Sequence, residues 1–196
     1  APPIDQTGIA AFFYEELSWP HLTLQFGGRA DRVSFAPVGE PKRDFTNGSG
    51  SIGLLVTPPA ARDSVTVAVS VARAARNPAL EELFFFGQHH GNFAIEVGNP
   101  GLASERALGF DASLRWRSSR ISGEATYFRN AISDFIFRNV MTEEEFLARE
   151  EEFAARFPGR PFAGHSHEGD TGEGEHGDEL AFVEFIGADA LLQGVE

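Results

Sequence analysis

Apolar and polar residues alternate along most of this chain with a period of two. From Ala107 to Arg117, Leu108, Phe110, Ala112, Leu114 and Trp116 interleave with Gly109, Asp111, Ser113, Arg115 and Arg117. Successive side chains of a strand point to opposite faces, so one face of this segment is apolar and the other polar. A turn at Arg117-Ser118-Ser119-Arg120 reverses the chain, and Ile121, Ala125 and Tyr127 continue an apolar stripe against Ser122, Glu124, Thr126 and Asn130, with Phe135 and Phe137 on the same parity. Leu22, Leu24, Phe26 and Ala30 alternate with Thr23, Gln25, Arg29 and Asp31 in the same way. So do Ile52, Leu54 and Val56, and Val65, Val67, Val69 and Val71 against Ser64, Thr66, Ala68 and Ser70. Roughly seven strands follow from these patterns, over Gly8 to Leu17, His21 to Phe35, Ser49 to Thr57, Ser64 to Arg73, Glu105 to Arg117, Arg120 to Arg138 and Ala181 to Val195.

The connections constrain the architecture further. They are short at Ser18-Trp19-Pro20, long at Ala36 to Asn47, short at Pro58 to Asp63, long at Ala74 to Ser104, short at Ser118-Ser119 and very long from Asn139 to Leu180. Strict alternation of short and long is the signature of an antiparallel transmembrane β-barrel, with brief turns at one end and extended loops at the other. A soluble β-sandwich has alternating strands too, but no reason to gather every long loop at one end. The predicted fold class is therefore all-β, an antiparallel transmembrane β-barrel segment. Within the last loop, Thr142 to Phe157 predicts a short amphipathic helix. Thr142 and Glu145 fit a capping box, and Phe146, Phe153 and Phe157 share a face with Leu147 and Ala154.

Composition agrees with this picture. Among 196 residues are 19 Phe, 21 Gly and one Met, a mixture suited to β-structure with tight turns rather than to a helical bundle. No run approaches the roughly 18 consecutive apolar residues of a membrane-crossing helix. Cysteine is absent, which excludes disulfides and thiolate metal sites. The net charge of -13 excludes nucleic acid as a partner, because phosphate would be repelled over most of the surface. No Gly-x-Ser-x-Gly elbow, phosphate-binding Gly-Lys motif or His-Glu-x-x-His helix occurs, and the chain is not expected to be an enzyme.

Several segments resemble a known family. Leu22 to Asp31 (Leu-Thr-Leu-Gln-Phe-Gly-Gly-Arg-Ala-Asp), Ala75 to Leu83 (Ala-Arg-Asn-Pro-Ala-Leu-Glu-Glu-Leu), Glu96 to Glu105 (Glu-Val-Gly-Asn-Pro-Gly-Leu-Ala-Ser-Glu) and Gly123 to Ile136 are similar to TonB-dependent outer-membrane receptors. The resemblance implies a barrel of about 22 strands closed by a plug domain. It also implies location in the bacterial outer membrane, contact with its lipid, and import of a scarce nutrient with energy passed on through TonB. Two departures accompany it. The plug and the TonB-contacting segment that precede the barrel in the family are not found, and the chain ends at Gln-Gly-Val-Glu, which in the family opens another strand. The expectation is an internal fragment: residues 1 to 196 as a partial barrel domain, with 139 to 180 as a long acidic, His-rich external loop and the plug domain absent.

Candidate chemistry concentrates in the two longest loops. His89 and His90 lie in one; His165, His167 and His176 lie in the other, among Glu168, Asp170, Glu173, Glu175, Asp178 and Glu179. His21, the sixth histidine, sits beside a short turn. Imidazole with carboxylate on a Gly-rich tether suits zinc, and nickel and copper are chemically allowed. A loop of Gly, Glu, Asp and His is equally the composition of a plain solvated loop. The resemblance favours the metal reading, because some zinc-importing members of the family carry His- and acid-rich external loops. From Glu143 to Glu179, 12 acids face only Arg149, Arg156 and Arg160, a field that gathers cations and repels anionic ferric siderophores. The expected function is uptake of zinc or another divalent metal, as cargo rather than as a cofactor, and no resident cofactor is required. Two alternatives remain open: a siderophore or haem receptor, and an outer-membrane binding or adhesion module without transport.

Overall fold

A computed structural model describes residues 3–61, 64–89, 94–156, 158 and 181–196. The seven predicted strands form, most of them longer than the alternation alone indicates: β1 (Ile4–Trp19), β2 (Leu22–Pro37), β3 (Arg43–Val56), β4 (Val65–Arg76), β7 (Glu105–Arg117), β8 (Ser122–Met141) and β9 (Ala181–Val195). The segment expected to be one long irregular loop after β4 instead folds into a helix, α1 (Leu80–Phe84), and two short strands, β5 (Phe86–His89) and β6 (Ala94–Val97). Four-residue strands are too short to display a period, and all four residues of β6 are buried, so its sequence carries no alternation at all. The predicted helix is α2 (Glu143–Arg156). Among the described residues no helix is long and apolar enough to cross a membrane, which has no bearing on crossing by strands.

The chain divides into two compact units. The larger comprises residues 3–77, 103–135 and 187–196. In it the strands follow the order β1-β2-β3-β4-β7-β8-β9. The pairs from β1 through β8 are antiparallel in unbroken register. Thr126 of β8 and Glu196 exchange both backbone hydrogen bonds, at 3.0 and 2.9 Å, which fixes the approach of the chain end to β8. One register row runs Leu17, Leu24, Leu54, Val69, Ala112, Tyr127. The row beside it runs Trp19, Leu22, Val56, Val67, Leu114, Ala125. These form a continuous apolar face that stays open to its surroundings: Leu17, Leu54, Val67, Val69, Leu114 and Tyr127 are all exposed. An apolar surface of that extent has no place in water and suits lipid.

The opposite face is polar and laced by hydrogen bonds between neighbouring strands. Gln25 donates to Glu16 at 2.8 Å, Ser70 to Asp111 at 3.4 Å, and Arg115 holds Glu124 bidentately at 3.0–3.2 Å. Aromatic rings fold over glycines directly opposite them, Phe13 over Gly28 and Trp116 over Gly123 on one face and Tyr14 over Gly27 on the other. A glycine leaves a gap in the pleated surface, and the ring covers it.

The second unit comprises the described residues within 78–102 and 136–186. Here β9 pairs with β6 in parallel and β6 with β5 antiparallel. Phe86, Ile95, Val97, Met141, Phe146, Phe153 and Phe182 make one buried cluster beneath α2. Phe146 stacks on Phe182 with ring centroids 3.9 Å apart. The buried stripe of α2 is narrower than predicted. Phe146 and Phe153 are fully buried, but Leu147 is 48 % exposed and Ala154 is exposed as well. Positions 146, 149, 153 and 156 define the inner side, and Arg149 and Arg156 bring apolar stems to it where Leu147 was expected. Phe157 lies outside the described residues.

Candidate functional site

In the larger unit, the end of the polar face next to the long connections holds a buried polar network. Asp31 of β2 and Asn47 of β3 are direct register partners, while Asn77 and Ser104 stand just after β4 and just before β7. Asn47 donates to Asn77, and to Ser104 at 3.3 Å. Ser104 donates to Asn77 at 3.1 Å, and Asn77 to Asp31 at 3.5 Å. Arg76 and Glu105, opposed in the ladder, add an ion pair at 2.5 Å. Asn47 and Ser104 are almost fully buried, and Phe35 packs edge-on to Phe45 on the same face, with centroids 5.9 Å apart. The network fixes the points where the chain leaves the sheet at Asn77 and rejoins it at Ser104. Asn77 and Ser104 fall within the Arg-Asn-Pro and Ala-Ser-Glu segments singled out in the sequence, but no spacing rule joins positions 31, 47, 77 and 104.

The second unit is held by a different set of polar contacts. The carboxylates of Glu96 and Glu184 are buried, and each is matched by an arginine, Arg138 at 3.4 Å for Glu96 and Arg149 for Glu184. The hydrogen bond that Arg149 donates to the Glu184 carboxylate raises the pKa of its guanidinium beyond its already high ordinary value. Arg149 also lies over the ring of Phe153, at 4.8 Å from its centroid. At the end of α2, Arg156 donates to the carbonyls of Gly98 and Leu83 at 2.8 and 3.0 Å. Sequence reasoning missed Glu96 and Glu184, whose only signal is a charged residue inside a short apolar run.

The start of α2 follows the predicted capping box. The Glu145 backbone N–H donates to the Thr142 hydroxyl at 3.2 Å, and the Thr142 backbone N–H donates to the Glu145 carboxylate at 2.8 Å. That backbone bond, followed by one from the Thr142 hydroxyl, holds the Glu145 carboxyl below its ordinary value of 4.5. The folded state thus favours the ionised form, while the unfolded chain takes up its proton at the ordinary value. The contribution is complete above pH 4.5 and disappears as pH falls through the lowered value. Thr142→Ala is expected to destabilise the helix by about 1 kcal/mol. In hydrogen exchange, α2 amides of the wild type should lose protection on acidification below that range, and those of Thr142→Ala should start lower and show no such step.

His89 is the last residue of β5, directly opposite Ala94 of β6, and Ala94 is in turn opposite Ala181, the first residue of β9. The ladder therefore sets the backbone of His89 two strand spacings, about 10 Å, from the point where the segment carrying His165, His167 and His176 rejoins the sheet. His90, His165, His167, His176, Glu168, Asp170, Glu173, Glu175 and Asp178 lie outside the described residues. His21 is at the β1–β2 turn, where its carbonyl accepts the Thr57 N–H at 3.0 Å. Among the described residues no group of three or more His, Asp or Glu side chains could hold a metal ion.

A family model described as TonB dependent receptor-like, beta-barrel matches residues 1–146. No curated protein sequence matches the chain. Among solved structures, the Serratia marcescens hemophore receptor HasR, in complex with its hemophore HasA and heme, is similar over 97% of this chain and 31% of its own, with 12% identity and a TM-score of 0.64. The copper transporter OprC is similar over 97% of this chain and 25% of its own, with 16% identity and a TM-score of 0.66. The FrpB iron transporter from Neisseria meningitidis is similar over 100% of this chain and 24% of its own, with 17% identity and a TM-score of 0.55. At these identities the likeness is one of fold. The chain spans about a quarter to a third of the length of these structures.

Proposed function

From a chain that belongs to the TonB dependent receptor-like β-barrel family, a family of receptors and not of enzymes, we propose part of a bacterial outer-membrane receptor that takes up zinc or a similar divalent cation. Family members are outer-membrane proteins, and the open apolar face of the larger unit is consistent with lipid around this one. In this reading residues 1–196 are a partial barrel domain. Uptake draws energy from TonB through a plug domain carried elsewhere in the full-length receptor.

One observation supports the cargo: His89, Ala94 and Ala181 fall on a single row of adjacent strands, so the segment that begins at His89 leaves the sheet two strands from the point where the segment carrying His165, His167 and His176 rejoins it. The proposed ligands are drawn from His89, His90, His165, His167, His176, Glu168, Asp170, Glu173, Glu175 and Asp178, a set of imidazoles and carboxylates that matches zinc chemistry. A few exchangeable ligands, rather than a closed four-ligand cage, suit capture followed by release. The acidic field of the same segment favours cations and disfavours anionic chelates.

Isothermal titration of zinc, then nickel, copper and ferric citrate, into the full-length receptor in detergent tests this reading. Zinc is expected to bind at micromolar affinity or tighter. Changing His89 and His90 to Ala, or His165, His167 and His176 to Ala, is expected to weaken it at least tenfold in each case. A receptor that is silent to zinc sinks the metal reading and moves a siderophore or haem cargo to first place.

A further inference from the structure

Four arginines stand on the face that carries the apolar rows of the larger unit; Arg32 pairs with Asp44 at 3.6 Å, and what the other three imply rests on the reading of that face as lipid-facing. Arg73 of β4 stands directly opposite Leu108 of β7, and Arg129 of β8 directly opposite Phe110. Arg106 is two residues before Leu108 on β7, opposite Ser133. Directly opposed residues share a face, and so do residues two apart on one strand. All three therefore belong to the face of Val67, Val69, Val71, Leu114 and Trp116.

Each of the three is exposed, and among the described residues none has an ion pair or side-chain hydrogen bond. Other arginines of the same strands do: Arg76 holds Glu105, Arg115 holds Glu124 and Arg138 holds Glu96. The acid on the facing stretch of β9, Asp189, instead accepts the backbone N–H of Asp134 at 3.4 Å. In a chain of net charge -13, three uncompensated cations among these apolar rows call for an anion from outside.

Their level on the sheet says which anion. Arg73 is three residues from the end of β4 and Arg106 one residue from the start of β7, both next to the long excursion. Apolar rows occupy the face from there down to Trp116, beside the tight turn in which the Ser118 N–H donates to the Ile121 carbonyl at 2.7 Å. In barrels of this kind the long connections are external and the short turns periplasmic, so Arg73 and Arg106 stand at the outer edge of the apolar band, and Arg129, level with Phe110, stands two register rows further in than Arg106. Arg73 and Arg106 are diagonal neighbours, with Cβ atoms on the order of 7–8 Å apart. Long apolar stems let guanidiniums reach from the band to the headgroup level. The planar fork of a guanidinium matches phosphate oxygens bidentately, as a carboxylate partner would have been matched. We propose that Arg73, Arg106 and Arg129 form a binding site for the phosphate groups of a glycolipid of the outer leaflet.

The test uses the full-length receptor in detergent, with phosphorylated lipid A, its dephosphorylated form and inorganic phosphate as probes, read by native mass spectrometry and by the shift in thermal unfolding. The wild type is expected to bind the phosphorylated lipid at least tenfold more tightly than the dephosphorylated one. The triple variant Arg73→Gln, Arg106→Gln, Arg129→Gln is expected to lose that preference, while Arg115→Gln on the polar face keeps it. Heat-modifiable gel mobility reports whether each barrel has folded. Where the triple variant does not fold, Arg106→Gln alone decides, with an expected weakening of about twofold, one third of a tenfold change on a logarithmic scale and the smallest shift the assay must resolve. Equal binding of both lipids by the wild type, an unchanged preference in a folded arginine variant, or full competition by millimolar inorganic phosphate overturns the proposal. Failure of the zinc titration leaves this assay unaffected. Failure of the lipid-facing premise would show separately, as a wild type that stays soluble and monomeric without detergent.

Discussion

Phe146→Ala should unravel the smaller unit while the long antiparallel ladder of the larger one stays formed. Phe146 is fully buried, stacks on Phe182 at 3.9 Å between centroids and meets Phe153 at 5.7 Å. Its truncation removes both ring contacts and leaves a void between α2 and β9. Loss of a buried Phe costs about 3–5 kcal/mol. Phe146 is one of seven residues in the cluster beneath α2, so the loss falls at the centre of what anchors that helix. Native-state hydrogen exchange should show α2, β5 and β6 amides losing most of their protection together, with the paired amides of β2 and β3 unchanged. Leu147→Ala on the same helix is the control. Leu147 is 48 % exposed, and its truncation should stay within about 0.5 kcal/mol. Equal effects from the two substitutions would show that the stripe follows the helix face drawn from sequence and not the one in the structure.

That contrast marks where the sequence was legible and where it was not. The strands with the strongest alternation, β4 and β7, were readable because each buries nothing on its apolar face and little on the other, so valine alternates with a small or polar residue without exception from Val65 to Val71. The α2 helix was readable at its start, since Thr142 and Glu145 satisfy each other locally. Its inward face was not, because the helix turns Arg149 towards Glu184, a residue 35 positions away. The same holds for α1, β5 and β6. Leu83 and Phe84 of α1 and the whole of β6 are buried by tertiary packing, which leaves no local period to read. The network of Asp31, Asn47, Asn77 and Ser104 and the outward arginines share a cause. Each depends on register across strands, so it becomes visible only once Asp31 is known to face Asn47, and Arg73 to face Leu108. For the candidate metal site, the sequence supplied the ligand types and the ladder supplied one relation between them, the row from His89 through Ala94 to Ala181.

Among the described glycines of the smaller unit, Gly98→Ala is expected to be the most damaging substitution, for a reason of space alone. A Cβ at Gly98 would lie 2.8 Å from the Leu83 carbonyl carbon and 2.8 Å from the backbone nitrogens of Phe84 and Phe85. All three are backbone atoms, so no rotamer change relieves the clash. The backbones are drawn this close by the Gly98 N–H, which donates to the Phe85 carbonyl at 2.7 Å, and by the neighbouring Asn99 N–H, which donates to the Glu82 carbonyl at 2.7 Å. Arg156 then donates to the carbonyls of Gly98 and Leu83 together, so the end of α2 depends on the same close approach. Forcing the two segments apart weakens all of these hydrogen bonds at once, and overpacking of this kind costs about 3 kcal/mol. Gly48→Ala is the counterpart in the larger unit. Nothing lies within 4 Å of a Cβ there, and removing glycine from a strand is neutral to stabilising by about 0.5–1 kcal/mol. Urea titration followed through the exchange of β6 amides for Gly98→Ala and β3 amides for Gly48→Ala separates the two. If Gly98→Ala proves as mild as Gly48→Ala, the contact between α1 and the Gly98 turn is looser than described, and Arg156 does not hold the two together.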